Sequence, residues 1–187
     1  MSDAPAGLIL AAGAGRRFGG TKQLALLDGR PLLEHALRAV ELLSPRVVVL
    51  GHAADQVRVA VDLHGAQPVF CAEWEEGQAA SLRAGVAALG DVDAAVIALG
   101  DMPGVTPAAV AAVVGAWDGD ADAVRATYEG RPGHPILLAR TLLDRAGELR
   151  GDVGFRPLLE RARVLSAEAG HLGDARDVDT REELTRR

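Results

Sequence analysis

Cysteine is almost missing from this chain. Cys71 is the only one in 187 residues, which excludes an intramolecular disulfide and a cysteine-based zinc cluster. It ends an apolar stretch, so it reads as a buried thiol rather than a nucleophile. Aromatic residues are 3% of the chain, so alanine, leucine and valine must build the core. Positive charge is not in excess either. The net charge of -6 lacks the basic balance of a nucleic-acid surface, yet leaves room for a local basic pocket. No apolar run is long enough to span a membrane, and no early run has the basic flank of a signal peptide. A cytoplasmic protein with neither a nucleic-acid nor a membrane partner is expected. There is no Gly-x-Ser-x-Gly elbow, and His35, His52, His64 and His171 lack metal-ligand spacing.

Hydrophobic residues make up 49%, enough for a sizeable core, and the length fits one domain over residues 1–187. Apolar strand-like runs alternate with helical periodicity. Strands are expected at 7–12, 46–50, 68–71, 94–99 and 123–127, and helices at 31–43, 55–63, 77–89 and 106–117. Thr106 reads as an N-cap with Pro107 just inside the helix. This alternation implies an α/β fold, a doubly wound and mostly parallel sheet with helices on both faces. After residue 128 the rhythm breaks at Gly130, Pro132, Gly133 and Pro135. Residues 136–138 then read as an inserted strand, a hairpin or a lid. Helices are expected at 141–149, 154–161 and 180–185, and a strand at 163–165.

The richest segment follows the first strand. Leu10-Ala11-Ala12-Gly13-Ala14-Gly15-Arg16-Arg17-Phe18-Gly19-Gly20-Thr21-Lys22 joins an apolar run to a loop with four glycines, two arginines and a lysine. Glycines let backbone N–H groups approach a ligand, and the cations suit a polyphosphate. A dinucleotide fingerprint would need glycine where Phe18 stands, and a Walker A loop would need no Thr21 between Gly20 and Lys22. A plain glycine-rich turn with solvated arginines is the competing reading.

Ligands bind doubly wound sheets at the carboxyl ends of strands. Asp101 follows the run 94–99 and is placed to hold a divalent cation such as Mg²⁺; a turn or capping acid beside Pro103 fits equally. Gly77 and Ser81 fall at a helix N-terminus, which can bind an anion or polar ring, while Glu73, Glu75 and Glu76 also suit plain dipole capping. His134 lies between glycine and proline, as a ligand contact or a turn residue. Asp152 sits in a second glycine-framed loop. Asp179 either caps the last helix or meets a distant acid at one cation.

Together these segments resemble the MobA-like nucleotidyltransferase superfamily, most of all its molybdenum cofactor cytidylyltransferase (MocA-like) branch. The opening loop matches Leu-Ala-Ala-Gly-x-Gly-x-Arg-x-Gly-x-x-Lys in full. The stretch 74–85, Leu99-Gly100-Asp101-Met102-Pro103, Gly133-His134-Pro135, the loop 151–156 and Asp177-Val178-Asp179-Thr180 resemble later blocks. Ala79 and Ala80 stand where the family has more serine, and Phe155 where it often has alanine.

The resemblance implies a Rossmann-like fold of the nucleotide-diphospho-sugar transferase type. It implies transfer of a nucleoside monophosphate to a phosphate-bearing small molecule, with pyrophosphate released. Leu10-Ala11-Ala12-Gly13 resembles the cytidylyl branch, which points to CTP, with molybdopterin as the acceptor. On this reading Lys22, Arg16 and Asp101 carry catalysis. Leu10, Ala11, Ala12, Gly13, Gly15, Gly77 and Ser81 hold the nucleotide. Asp101 and Asp179 hold Mg²⁺, with Asp177 the alternative to Asp179, and His134 and Asp152 line the acceptor pocket. Another acceptor or GTP on the same fold, or a non-catalytic partner in molybdoenzyme maturation, are the competing readings.

Overall fold

A computed structural model describes residues 4–185. Strand β1 (Ala6–Ala11) is fully buried and pairs in parallel with β4 (Arg46–Leu50) and β6 (Ala94–Leu99). Strand β5 (Gln67–Phe70) lies in parallel outside β4. On the other side, β8 (Arg131–Ala139) runs antiparallel between β6 and β7 (Ala123–Tyr128). Strand β9 (Val164–Glu168) closes that edge in parallel with β7. The seven-stranded order is β5-β4-β1-β6-β8-β7-β9, a mostly parallel, Rossmann-like sheet. A two-stranded ribbon, β2 (Leu26–Leu27) with β3 (Arg30–Pro31), was not foreseen from sequence.

Alternation along each strand sends side chains to opposite faces. Ile9, Val48 and Val96 pack with α1 (Leu32–Ala39) and α4 (Pro107–Gly115). Leu8, Leu10 and Ile97 pack with α3 (Gln78–Leu89), α5 (Arg140–Leu143) and α6 (Arg156–Leu159). Helix α2 (Ala54–Ala60) joins β4 to β5, and α7 (Arg181–Thr185) follows β9. Thr106 caps α4 as expected: its Oγ1 accepts from Ala109 N at 3.2 Å. Cys71 is buried between the sheet and α3, and burial pushes its thiol pKa up. No helix among the described residues is long and apolar enough to cross a membrane.

Three expectations need correction. The helix expected at 141–149 is one α-turn, α5, followed by a 3-10 turn over Asp144–Glu148. The helix expected at 154–161 shrinks to α6: it starts only at Arg156, since Pro157 can occupy only a first turn, and ends at Leu159. The short strand expected at 136–138 extends back to Arg131 despite two prolines. Between the pairs Arg125↔Ile136 and Thr127↔Pro132 the register shifts, so Ala126 alone faces residues 133–135. That bulge relieves Pro135 of a ladder bond it cannot make.

Candidate active site

The carboxyl ends of β1 and β6 open into a cavity of about 590 Å³, walled by the loop 10–17, the segment 74–78, Asp101, Asp152 and Asp179. The opening loop turns at Gly15, whose φ is +60° and where a Cβ would come 2.7 Å from Gly20 O. Phe18 N and Gly19 N close on Gly15 O at 2.9 and 3.1 Å. The amide N–H groups of residues 13–17 have no acceptor among the described residues. Gly13 has nothing within 4 Å of its Cβ position, so the protein's own packing does not demand a glycine there.

Charge is concentrated at one side of this loop. Lys22 Nζ donates to Asp101 Oδ2 at 2.7 Å and to Asp179 Oδ1 at 3.2 Å. Burial pulls the Lys22 ammonium down, but Asp101 and then Asp179 more than offset it, leaving its pKa above 10.5. Arg17 pairs with the other oxygen of Asp179. Arg16 lines the cavity, is exposed, and has no ion pair among the described residues. Asp101 Oδ1 is buried without a hydrogen-bond partner.

Asp179 arrives from the far end of the chain. Val178 is fully buried against Phe18 and Leu32, and Val178 N donates to Asp101 O at 2.9 Å. The Arg181 guanidinium stacks 5.1 Å from the Phe18 ring centre. Asp177 is exposed and lies outside the cavity wall, so of the two candidate acids the fold brings Asp179 to Asp101.

The N-terminus of α3 is already capped. Gln78 N donates to Asp152 Oδ1 at 3.3 Å and Ala79 N to Gly151 O at 3.1 Å. Gly77 has φ +111°, and a Cβ there would meet Asp152 N at 2.6 Å. The capping acid is therefore Asp152, from 74 positions away, and not the neighbouring glutamates. Glu76 instead pairs with Arg83. Gly77, Ser81 and Asp152 all line the cavity.

His134 does not. It stands outside the cavity wall, with its carbonyl accepting from Tyr128 Oη at 2.8 Å. Burial pushes its pKa down to about 4, helped by Arg125 and opposed by Asp101. The imidazole is neutral at neutral pH. The antiparallel turn into β8 draws His134 into the sheet, which the Gly-His-Pro triplet did not reveal.

Arg17 stands at the arginine position of the opening motif, and the fold adds that it pairs with Asp179, while Arg16 has no ion pair among the described residues. Gln23 had no sequence signal. Gln23, 6% exposed, donates from Nε2 to Ala11 O at 2.7 Å and Gly13 O at 2.8 Å. Among the described residues no group of three or more His, Cys, Asp or Glu side chains gathers, so a cation here would have two protein carboxylates at most.

A family model described as the MobA-like NTP transferase domain matches residues 7–167. Nicotine blue oxidoreductase of Paenarthrobacter nicotinovorans is 32% identical over 173 residues, 88% of this chain and 78% of that protein. The bifunctional protein GlmU of Corynebacterium aurimucosum is 38% identical over 163 residues, 80% of this chain but 31% of that protein. This chain thus spans about a third of the length of such GlmU relatives. The crystal structure of Rv0371c from Mycobacterium tuberculosis superposes with a TM-score of 0.86 at 29% identity, covering 100% of this chain and 98% of that one. A further Rv0371c structure is a complex with manganese. The matched family segment ends before Asp179.

Proposed function

Since the chain belongs to the MobA-like NTP transferase domain family, we propose that it transfers CMP from CTP to a phosphate-bearing small molecule, molybdopterin, in the cytoplasm. Residues 1–187 act in this reading as one nucleotidyltransferase domain. An acceptor phosphate oxygen attacks the α-phosphorus of CTP, the bond to the bridging oxygen breaks, and pyrophosphate leaves. The observation that carries the reading is the meeting of Asp101, Asp179 and Lys22 beside a loop with five unpaired amides.

A divalent cation fits the residues present. Asp101 Oδ1 is buried and unpartnered, and Asp179 is its neighbour across Lys22. Two carboxylates suffice for Mg²⁺, which keeps several waters and takes phosphate oxygens for the rest. Bound there, the ion would neutralise charge on the triphosphate. That a structure of Rv0371c is a complex with manganese supports a divalent metal as the cofactor.

The chain's own groups then do two things. The amides 13–17, with Arg16 and Lys22, hold phosphate oxygens and stabilise the charge that grows on the leaving pyrophosphate. Leu10 to Gly13, with Gly77 and Ser81, bound the nucleotide in this reading, and Asp152 bounds the side where the acceptor enters. An acceptor phosphate is already anionic near neutral pH, so no general base is needed. His134 lies outside the cavity wall, so this reading gives it no part in the acceptor pocket.

The match to nicotine blue oxidoreductase covers most of both chains and supports a second reading, in which the cavity holds a nucleotide as a redox partner. Pyrophosphate release decides between them. Four nucleoside triphosphates are tested with and without molybdopterin, with Mg²⁺ or EDTA. Release that requires CTP, molybdopterin and Mg²⁺ together is expected. Preference for GTP overturns the base assignment, and no release under any condition overturns the transfer reading.

A further inference from the structure

We infer that Gln23 is a positioning residue for nucleotide selection, because its side-chain amide decides which backbone groups the opening loop shows to a ligand. This rests on the nucleotide-binding reading above. Gln23 lies in the 3-10 turn Lys22–Leu24, directly after the lysine that bridges the two acids.

The carbonyls from Leu10 to Gly13 are all occupied. Leu10 O accepts from Gly100 N at 2.9 Å and Ala12 O from His52 N at 3.0 Å. Those donors lie just past the carboxyl ends of β6 and β4, the strands flanking β1. Ala11 O and Gly13 O have no such neighbour, and Gln23 Nε2 supplies both, at 2.7 and 2.8 Å. One side chain therefore finishes what the sheet begins. With the acceptors engaged and the amides 13–17 unpaired, the loop presents donors to the cavity. A polyphosphate, or the acceptor atoms of a base edge, match that surface.

The arrangement has a cost that folding alone does not explain. Gln23 Oε1 is buried and has no hydrogen-bond partner. Flipping the amide would set that oxygen against two carbonyl oxygens, so the orientation is fixed. A methionine would fill similar volume with no orphaned oxygen. The glutamine earns its place through the two carbonyls it holds.

The test uses the full chain with Gln23→Met, and Gln23→Leu as a second variant should the first fail to fold. Calorimetry in EDTA gives the Kd of CTP, GTP, ATP and UTP, thermal melting gives Tm, and pyrophosphate release gives kcat and KM. We expect Tm to hold or rise and CTP binding to weaken at least tenfold. The ratio of kcat/KM between CTP and GTP should fall at least tenfold, with the loss in KM more than in kcat. Retained affinity and retained base preference in a folded variant overturn the inference. So does a loss of Tm with the base preference intact, which marks Gln23 as merely structural. Wild-type protein that binds none of the four triphosphates overturns the nucleotide reading itself, and this inference with it, a result distinct from the other two.

Discussion

Lys22 Nζ sits between Asp101 and Asp179, 2.7 Å from one carboxylate and 3.2 Å from the other. The lysine sits between the two acids that would hold a divalent cation. Its charge and that of Arg17 balance the acid pair. A metal held there would have to compete with the ammonium, and a bound triphosphate would give the ammonium another partner.

Lys22→Met should therefore do two opposite things. Turnover should fall about 10²–10³-fold, as for loss of one donor to developing charge. Affinity for Mn²⁺ in the absence of nucleotide should rise, because two carboxylates lose their internal counter-ion. Electron paramagnetic resonance of free Mn²⁺ measures the second effect. Weaker Mn²⁺ binding in the variant would show that Lys22 shapes the site rather than competing for it.

Asp179→Asn should weaken Mn²⁺ binding at least tenfold, while Asp177→Asn should leave it alone. Asp177 is exposed and outside the cavity wall. Equal effects from the two would remove the distinction that the fold draws between them.

Gly13→Ala should keep or raise Tm, by about 0.4–1 kcal/mol of stability, because a compatible glycine-to-alanine change restricts the unfolded chain. Nothing lies within 4 Å of the added Cβ. CTP affinity should nevertheless drop, since the methyl enters space reserved for the ligand. Thermal melting and calorimetry on one preparation report both. Unaltered CTP affinity would mean that the nucleotide binds elsewhere.

His134 gives a pH signature. Its folded pKa, about 4, lies below the ordinary 6.5, so the unfolded chain binds more protons between those values. Stability contributed by the neutral ring is whole above 6.5 and is lost as pH falls through about 4. His134→Gln should flatten the fall of Tm over that range. The Tyr128 hydroxyl bonds the His134 carbonyl, so that contact survives the substitution. An unchanged Tm profile would assign the acid sensitivity to other groups.

What could be read in advance followed short-range chemistry. The run Ala94–Leu99 is a strand with the expected boundaries, because continuous apolar residues bounded by turns have few alternatives. The opening loop and Asp101 fell at strand ends, where α/β sheets bind ligands. Strand β8 was largely hidden, since Pro132, Gly133 and Pro135 signal a turn and only the bulge opposite Ala126 lets them join a sheet. The capping of α3 by Asp152, the choice of Asp179 over Asp177 and the clamp by Gln23 were hidden for another reason. The first two join positions far apart in sequence, and the clamp lies within one irregular loop; no local period records any of the three.

The docking of Val178 is a smaller matter than the fold around it. The sheet is complete at Glu168 and residues 169–175 still pack on the large core, but Asp179 is carried to Lys22 by the stretch beyond them, where Val178 is buried with Phe18 and Leu32. So small a cluster opens at lower free energy than a layered core. On heating, the second carboxylate should swing out while every strand stays paired. Catalysis would then fade at temperatures where circular dichroism still reports a native molecule. A melting curve would then report the scaffold, and only an activity curve the docked Asp179.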